Sequence, residues 1–437
     1  MTLLDDRRFM VGFATVAFFV GFAGDAVRNS LSWYGYGAVV FAMFGTSVAL
    51  LVRHRKKLRF AALPLPLLAF TLLCSVSIVW SNYPGATAIA AAIQIITATV
   101  AVSLALVVPV TALVRALGRA LRAILVLSVL FELIVAVVVR APVLPVWVSG
   151  SDRVDPPLLL YWSRNVLFEG GPIQGIVGSS SLLAMAALLA LIVTTVETLA
   201  GTLGRGQGGG WMLLALVLIA LTRSATIFVA IVALVLVVAL VLLVRWATSR
   251  ARRVVLAGVV IVAGALVVAA STVLRIEVLG LLGKTDTLTN RTEIWTAVIG
   301  LAQQRPALGW GWISFWAPWV EPYRSLVSNN GVAQLHAHNA WLDIWVQLGV
   351  LGFIVFGALV ASTVIRAFLL SIDRVGKTPL SPGEFSSVSM LPLLLLTALL
   401  VQSLAESRLL IEGGLLLLVV AAVVTKVGML GRNSELS

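Results

Sequence analysis

Apolar runs long enough to cross a bilayer, at ~20 residues per helix, recur along this sequence. They lie near residues 9–27, 34–52, 61–80, 86–110, 120–139, 173–199, 211–244, 254–273, 339–365, 388–404 and 409–428. In hydrocarbon every backbone N–H and C=O must be paired within the protein, so runs of this kind form helices. The run 211–244 is too long for one span and is interrupted by Leu221-Thr222-Arg223-Ser224-Ala225-Thr226. That interruption predicts two helices with a tight turn at Arg223, the first of them short. Twelve spans result, which makes the chain an all-α polytopic membrane protein. Only 11% of its 437 residues are charged, against about 25% in soluble domains, and its mean hydropathy is +1.07. One membrane-embedded domain over 1–437 accounts for the whole length.

The formal charge of +13 reports orientation before it reports partners. With the N-terminus inside, every short inner loop is basic: Arg7 and Arg8, Arg53 to Arg59, Arg115 to Arg122, Arg205, Arg245 to Arg253, Arg366 to Lys377, and Lys426 with Arg432. Removing the turn at Arg223 would put Arg245–Arg253 outside, so both termini are expected in the cytoplasm. Nucleic acid is excluded as a partner, because no basic block is interleaved with aromatics. Cys74 is the single cysteine and lies in an apolar run, so neither an intrachain disulfide nor a cysteine metal site can form. Gly206–Gly210 reads as a flexible inner link.

Two outer loops are long, about 140–172 and 274–337, and loops of the second length are usually functional. Polar and aromatic residues collect from Thr289 to Gly352. Arg291 opens Arg-Thr-Glu-Ile-Trp, with Thr289 as a plausible N-cap and a helix expected to about Gln304, stopped by Pro306. It pairs locally with Glu293 or Asp286, or it is a guanidinium clamp for phosphate oxygens. Gly309 and Gly311 allow the backbone to turn closely beneath a ligand. Trp310, Trp312, Trp316 and Trp319 are an interfacial belt or platforms for sugar rings. His336-Ala337-His338-Asn339 is the sharpest feature. A histidine with an ordinary pKa of ~6.5 can take the proton of a hydroxyl nucleophile, and Asn339 would orient the acceptor or the histidine. The alternative is a pair of interfacial histidines capping the next helix. A metal centre needs a third ligand such as Asp343 or Glu321, and the spacing fixes none. Asp343 reads as an orienting partner. Arg223, at the turn between two spans, is an outward-snorkelling residue or an anion ligand beside the first amides of a helix. Glu406-Ser407-Arg408 reads as a local ion pair closing the last outer hairpin, with a role in lining the site as the lesser reading; Glu132 and Glu197 have no evident partner.

Arg291-Thr-Glu-Ile-Trp, Pro306, Gly309-Trp-Gly-Trp, His336-Ala-His-Asn and Gly349-Val-Leu-Gly, in that order, resemble the O-antigen ligase and O-antigen polymerase superfamily, most nearly its exopolysaccharide-production branch. Trp80-Ser-Asn-Tyr-Pro84, Gln174-Gly-Ile-Val-Gly178, Ser224-Ala-Thr226 and Ala405-Glu-Ser-Arg-Leu409 add to the match. The likeness is strongest over about 211–360. It implies a GT-C-like glycosyltransferase without metal or other cofactor, inverting, at the outer face of the plasma membrane. The donor would be a polyprenyl-diphosphate-linked glycan and the acceptor a hydroxyl on a glycan, lipid or protein. The resemblance makes His338 the base, with His336 as the alternative, and Arg223 and Arg291 the diphosphate ligands; His336, Asn339 and Trp312 are the further substrate-binding candidates. A small-anion transporter and a non-catalytic partner in an envelope complex are the competing readings.

Overall fold

In the computed structural model the described residues are 3–55, 59–148, 156–246, 286–329, 332–372 and 386–436, with the single positions 251, 255 and 258. They form helices α1 (Arg7–Phe22), α2 (Gly24–Arg53), α3 (Leu65–Val76), α4 (Pro84–Val107), α5 (Val110–Ile134), α6 (Ser180–Leu199), α7 (Arg205–Thr222) and α8 (Ala225–Trp246). These are followed by α9 (Asp286–Gln304), α10 (Ala340–Ile372), α11 (Leu391–Ser403) and α12 (Glu412–Leu436). The one sheet described is a two-stranded antiparallel ribbon, Ser328–Asn329 with Val332–Ala333.

Among the described residues eight helices are long and apolar enough to cross a membrane, and two shorter apolar helices cover Leu65–Val79 and Val388–Ser403. The first expected span is the 16-residue α1, about 24 Å long at 1.5 Å per residue. The expected span 254–273 and the first part of the 274–337 loop lie outside the described residues. The turn at Arg223 forms where the sequence puts it: α7 ends at Thr222 and Arg223 has φ 49°, a left-handed cap. Gly206–Gly210, by contrast, is the first part of α7 rather than a link. A Cβ on Gly208 would collide with Thr198 of α6, so the glycine lets these two helices approach closely, a gain that outweighs its low helix propensity.

The helices alternate in direction, and the chain ends of α1, α3, α5, α7 and α11 meet the starts of α2, α4, α6, α8, α10 and α12 at one end of the bundle. Contacts across that end fix the assignment: Ser181 to Glu406, Ile173 to Leu221, and Trp80 to Leu308. The bundle core is aliphatic, with Phe18, Phe70, Trp312 and Phe356 as its large buried rings. A second apolar cluster, around Tyr83, Val298, Trp316, Tyr323 and Val346, lies under the loop after α9.

That loop is tied to α10 by backbone alone. Gly349 has φ 63°, a break in the helix, which frees the carbonyls of Val346 and Gln347 and the amides of Val350 and Leu351. Trp310 N (3.0 Å) and Gly311 N (2.9 Å) take the first pair, and Pro306 O (2.8 Å) and Ala307 O (3.2 Å) take the second. A Cβ on Gly309 or Gly349 would run into the facing backbone. The close turn at Gly309 and Gly311 is therefore made against α10 and Ser81, where the sequence suggested a ligand.

Candidate functional site

The loop that enters α10 carries the two histidines, and its backbone is held from both sides. Ala337 N–H donates to Asp343 Oδ2 at 3.0 Å, and Ala337 O accepts from Trp295 Nε1 at 3.0 Å. Asn339 is the N-cap of α10: its Oδ1 accepts from Trp341 N (3.0 Å) and Leu342 N (3.2 Å). Its amide lies 3.4 Å from Leu404 O in the hairpin between α11 and α12. His338 has φ 50°, a left-handed conformation that bulky side chains seldom adopt without a compensating structure.

This geometry sets the tautomer of both rings. The amide N–H of His338 lies 3.1 Å from His336 Nδ1; an amide can only donate, so that nitrogen bears a lone pair. Burial, reinforced by the neighbouring His338, Arg408 and Arg291, pushes the His336 pKa well down, and the ring stays neutral. His338 Nδ1 lies 3.2 Å from Glu406 Oε2. A carboxylate can only accept, so Nδ1 carries hydrogen and the lone pair of neutral His338 is on Nε2.

Glu406 takes the lesser of its two sequence readings, a place beside the candidate site. It does not pair with Arg408. Its Oε1 receives Ser181 Oγ at 3.0 Å and Arg291 Nη2 at 3.4 Å, while its Oε2 faces His338. Burial works to raise this carboxyl, but His338 and Arg291 override it and hold the group well below the usual carboxylate range. The available signal was its place in Ala405–Leu409. No spacing joins positions 338 and 406, because the fold alone brings them together.

Asp343 orients the site as expected, through backbone and hairpin rather than through an imidazole. One oxygen receives both Ala337 N–H and the Ser407 hydroxyl, and the other lies 3.5 Å from Gln347 Nε2. The histidine loop and the Glu406 hairpin are thus fixed to one carboxylate. Arg408 turns away into a buried charge network with Glu412 and Asp25, which Arg28 completes. The Arg408 guanidinium also lies 5.5 Å from the Phe315 ring, which in turn lies 6.0 Å from His336.

Arg291 thus joins the histidines in one cluster. Arg223 does not touch it: its side chain is exposed at the same end of the bundle, over Gly170. The loop that carries Gly170 is itself pinned by buried Glu132, which accepts from Ser163 Oγ (3.0 Å), Gln174 N (2.9 Å) and Gly175 N (2.7 Å). Glu197 pairs with Arg122 at 2.7 Å. Trp312 is fully buried, edge-on to Phe70 at 5.7 Å, and offers no face to a sugar; Trp316 is buried as well, whereas Trp319 is 75% exposed. A carboxylate, two imidazoles and a guanidinium at one bundle end can hold an anion and accept a proton.

Residues 210–357 match the family described as O-Antigen ligase. That stretch contains Arg223, Arg291, both histidines and Asn339, but not Glu406. Exopolysaccharide production protein ExoQ of Rhizobium meliloti (strain 1021) is 29% identical over 101 residues, which is 22% of this chain and 22% of that relative. Its apolar helices make the chain a multi-pass membrane protein, and about a third of its length is similar to the O-Antigen ligase family.

Proposed function

We propose that the protein is a glycosyltransferase that moves a glycan from a polyprenyl-diphosphate carrier to an acceptor hydroxyl at the outer face of the plasma membrane. The observation that carries this reading is the His338–Glu406 pair, 3.2 Å apart, with Arg291 on the same carboxylate. Glu406 fixes the His338 proton on Nδ1, which leaves Nε2 as the base. The acceptor oxygen attacks the anomeric carbon as its proton passes to Nε2. The new C–O bond forms while the bond from carbon to phosphate oxygen breaks, and the diphosphate leaves toward Arg291 and Arg223. A single in-line displacement inverts the anomeric centre. The diphosphate is already a good leaving group, so positioning and fixed positive charge supply the catalysis, and no metal takes part.

Arg223 makes no side-chain hydrogen bond or ion pair with a described residue, so its guanidinium is available to an anion. The cytoplasmic placement of both termini follows from the basic inner loops. The test is the pool of polyprenyl-linked glycan in cells carrying His338→Ala, with the variant shown to reach the membrane at normal level. Accumulation of carrier-linked repeat units with loss of a surface glycan supports transfer, and the size of what accumulates separates polymerase from ligase. An unchanged pool refutes His338 as the base.

A further inference from the structure

His336, His338 and Glu406 bring two imidazoles and a carboxylate to one place, with one ligand atom of each lying within 4.8 Å of the others. Two histidines and a glutamate are a known zinc donor set, with bonds of about 2.0–2.2 Å that leave tetrahedral ligand atoms about 3.3 Å apart. The His338 Nδ1 to Glu406 Oε2 distance, 3.2 Å, already has that value. The rings of His336 and His338 lie 4.1 Å apart, centroid to centroid. The cations nearby do not compete for these atoms. Arg291 and Ser181 sit on the other oxygen, Oε1, and Arg408 is neutralised by Glu412 and Asp25.

We infer that His336, His338 and Glu406 form a binding site for a borderline divalent transition metal such as Zn2+, and that its occupation blocks glycan transfer. The metal takes a ring nitrogen of His336, Nδ1 of His338 and Oε2 of Glu406. At His338 it takes the nitrogen that carries hydrogen, and the proton moves to Nε2. No proton is released, but Nε2 loses the lone pair that would accept the proton of the acceptor hydroxyl. Glu406 is drawn onto the metal as well. The metal is an inhibitor here, competing with the proton for one ring. Binding itself follows from the donor geometry; the inhibition rests on the proposed transfer reaction.

The experiment titrates Zn2+ by calorimetry, and Co2+ by its visible absorption, into the full-length, tag-free protein in detergent. One equivalent is expected to bind, with the intense absorption of a low-coordinate Co2+ site. His336→Asn and Glu406→Gln should each weaken binding by more than about tenfold, since losing even an outer-sphere partner costs a metal site that much. His54→Ala, which removes the histidine at the opposite end of the bundle, should change nothing. Circular dichroism and gel filtration show which variants are folded, and His336→Asn carries the test if Glu406→Gln is not. Absence of saturable binding, or binding unaffected by a folded His336→Asn, overturns the site. The transfer assay separates the two proposals. Inhibition by Zn2+ that a chelator reverses supports the inference, and transfer intact without metal binding refutes the inference alone. Binding in a protein that transfers nothing refutes the proposed function and leaves the site standing. Stimulation by Zn2+ overturns the inhibitory role.

Discussion

Asp343 holds the loop of His338 and the hairpin of Glu406 on a single oxygen, and this shared anchor explains why two segments 68 residues apart meet in register. Replacing Glu406 by glutamine keeps the size of the side chain but removes the charge that fixes the His338 tautomer. Transfer is expected to fall by ~10²–10⁴-fold, the usual worth of a positioned acid or base, with the protein still folded; a kcat measurement in proteoliposomes checks this. Asn339→Ala removes an N-cap and should lower stability by about 1 kcal/mol, read as a lower midpoint in thermal unfolding. His336 supplies a pH dependence. Its folded pKa is depressed by burial, so folding favours the neutral ring. That stability is complete above the unfolded value of about 6.5 and is lost as pH falls below it, because the unfolded chain then binds the extra proton. A thermal melt in chelator-treated buffer should drop between about pH 7.5 and about pH 5.5, and less so in His336→Asn.

Where the loop after α9 meets α10, glycine decides the structure. Gly349→Ala puts a Cβ into the facing backbone of Ala307 at a position with φ 63°. It should cost about 3 kcal/mol or more, as strain and collision together usually do, and limited proteolysis should then cut the loop. The sequence shows which residues make helices here because hydrocarbon leaves the backbone no alternative, and Arg223 and Pro306 end α7 and α9 within two residues. Local patterning also singles out Arg291 and the two histidines. What it misreads are residues whose meaning is set by distant neighbours. Glu406 and Arg408 look like a local pair, yet each finds a partner on another helix. Trp312 sits in a loop sequence that suggests a surface aromatic, yet the loop folds back and buries it against Phe70. Gly206–Gly210 has the composition of a link, but close packing of α6 and α7 makes it helix.

One end of the bundle carries the histidine loop, the Glu406 hairpin, Arg223 and the Asp25–Arg28–Arg408–Glu412 network, and the other carries Arg53, Arg245 and Arg366. This polarity gives a topology that can be read directly. Cys74, the only cysteine, is fully buried, so a cysteine introduced at exposed Trp319 or exposed Arg53 is labelled without background. In whole cells the first should react with an impermeant maleimide and the second only after lysis; the reverse pattern would invert the protein. Reconstitution tests whether the His338–Glu406 pair drives glycan transfer. Purified protein in liposomes would be given a polyprenyl-diphosphate-linked glycan and an acceptor, with chelator present, and glycan transferred per turnover would be compared for wild type, His338→Ala and Glu406→Gln. Wild type is expected to transfer without metal, His338→Ala to show nothing above background, and Glu406→Gln to lose most of the activity. Transfer by either variant at the wild-type rate would contradict that role for the pair.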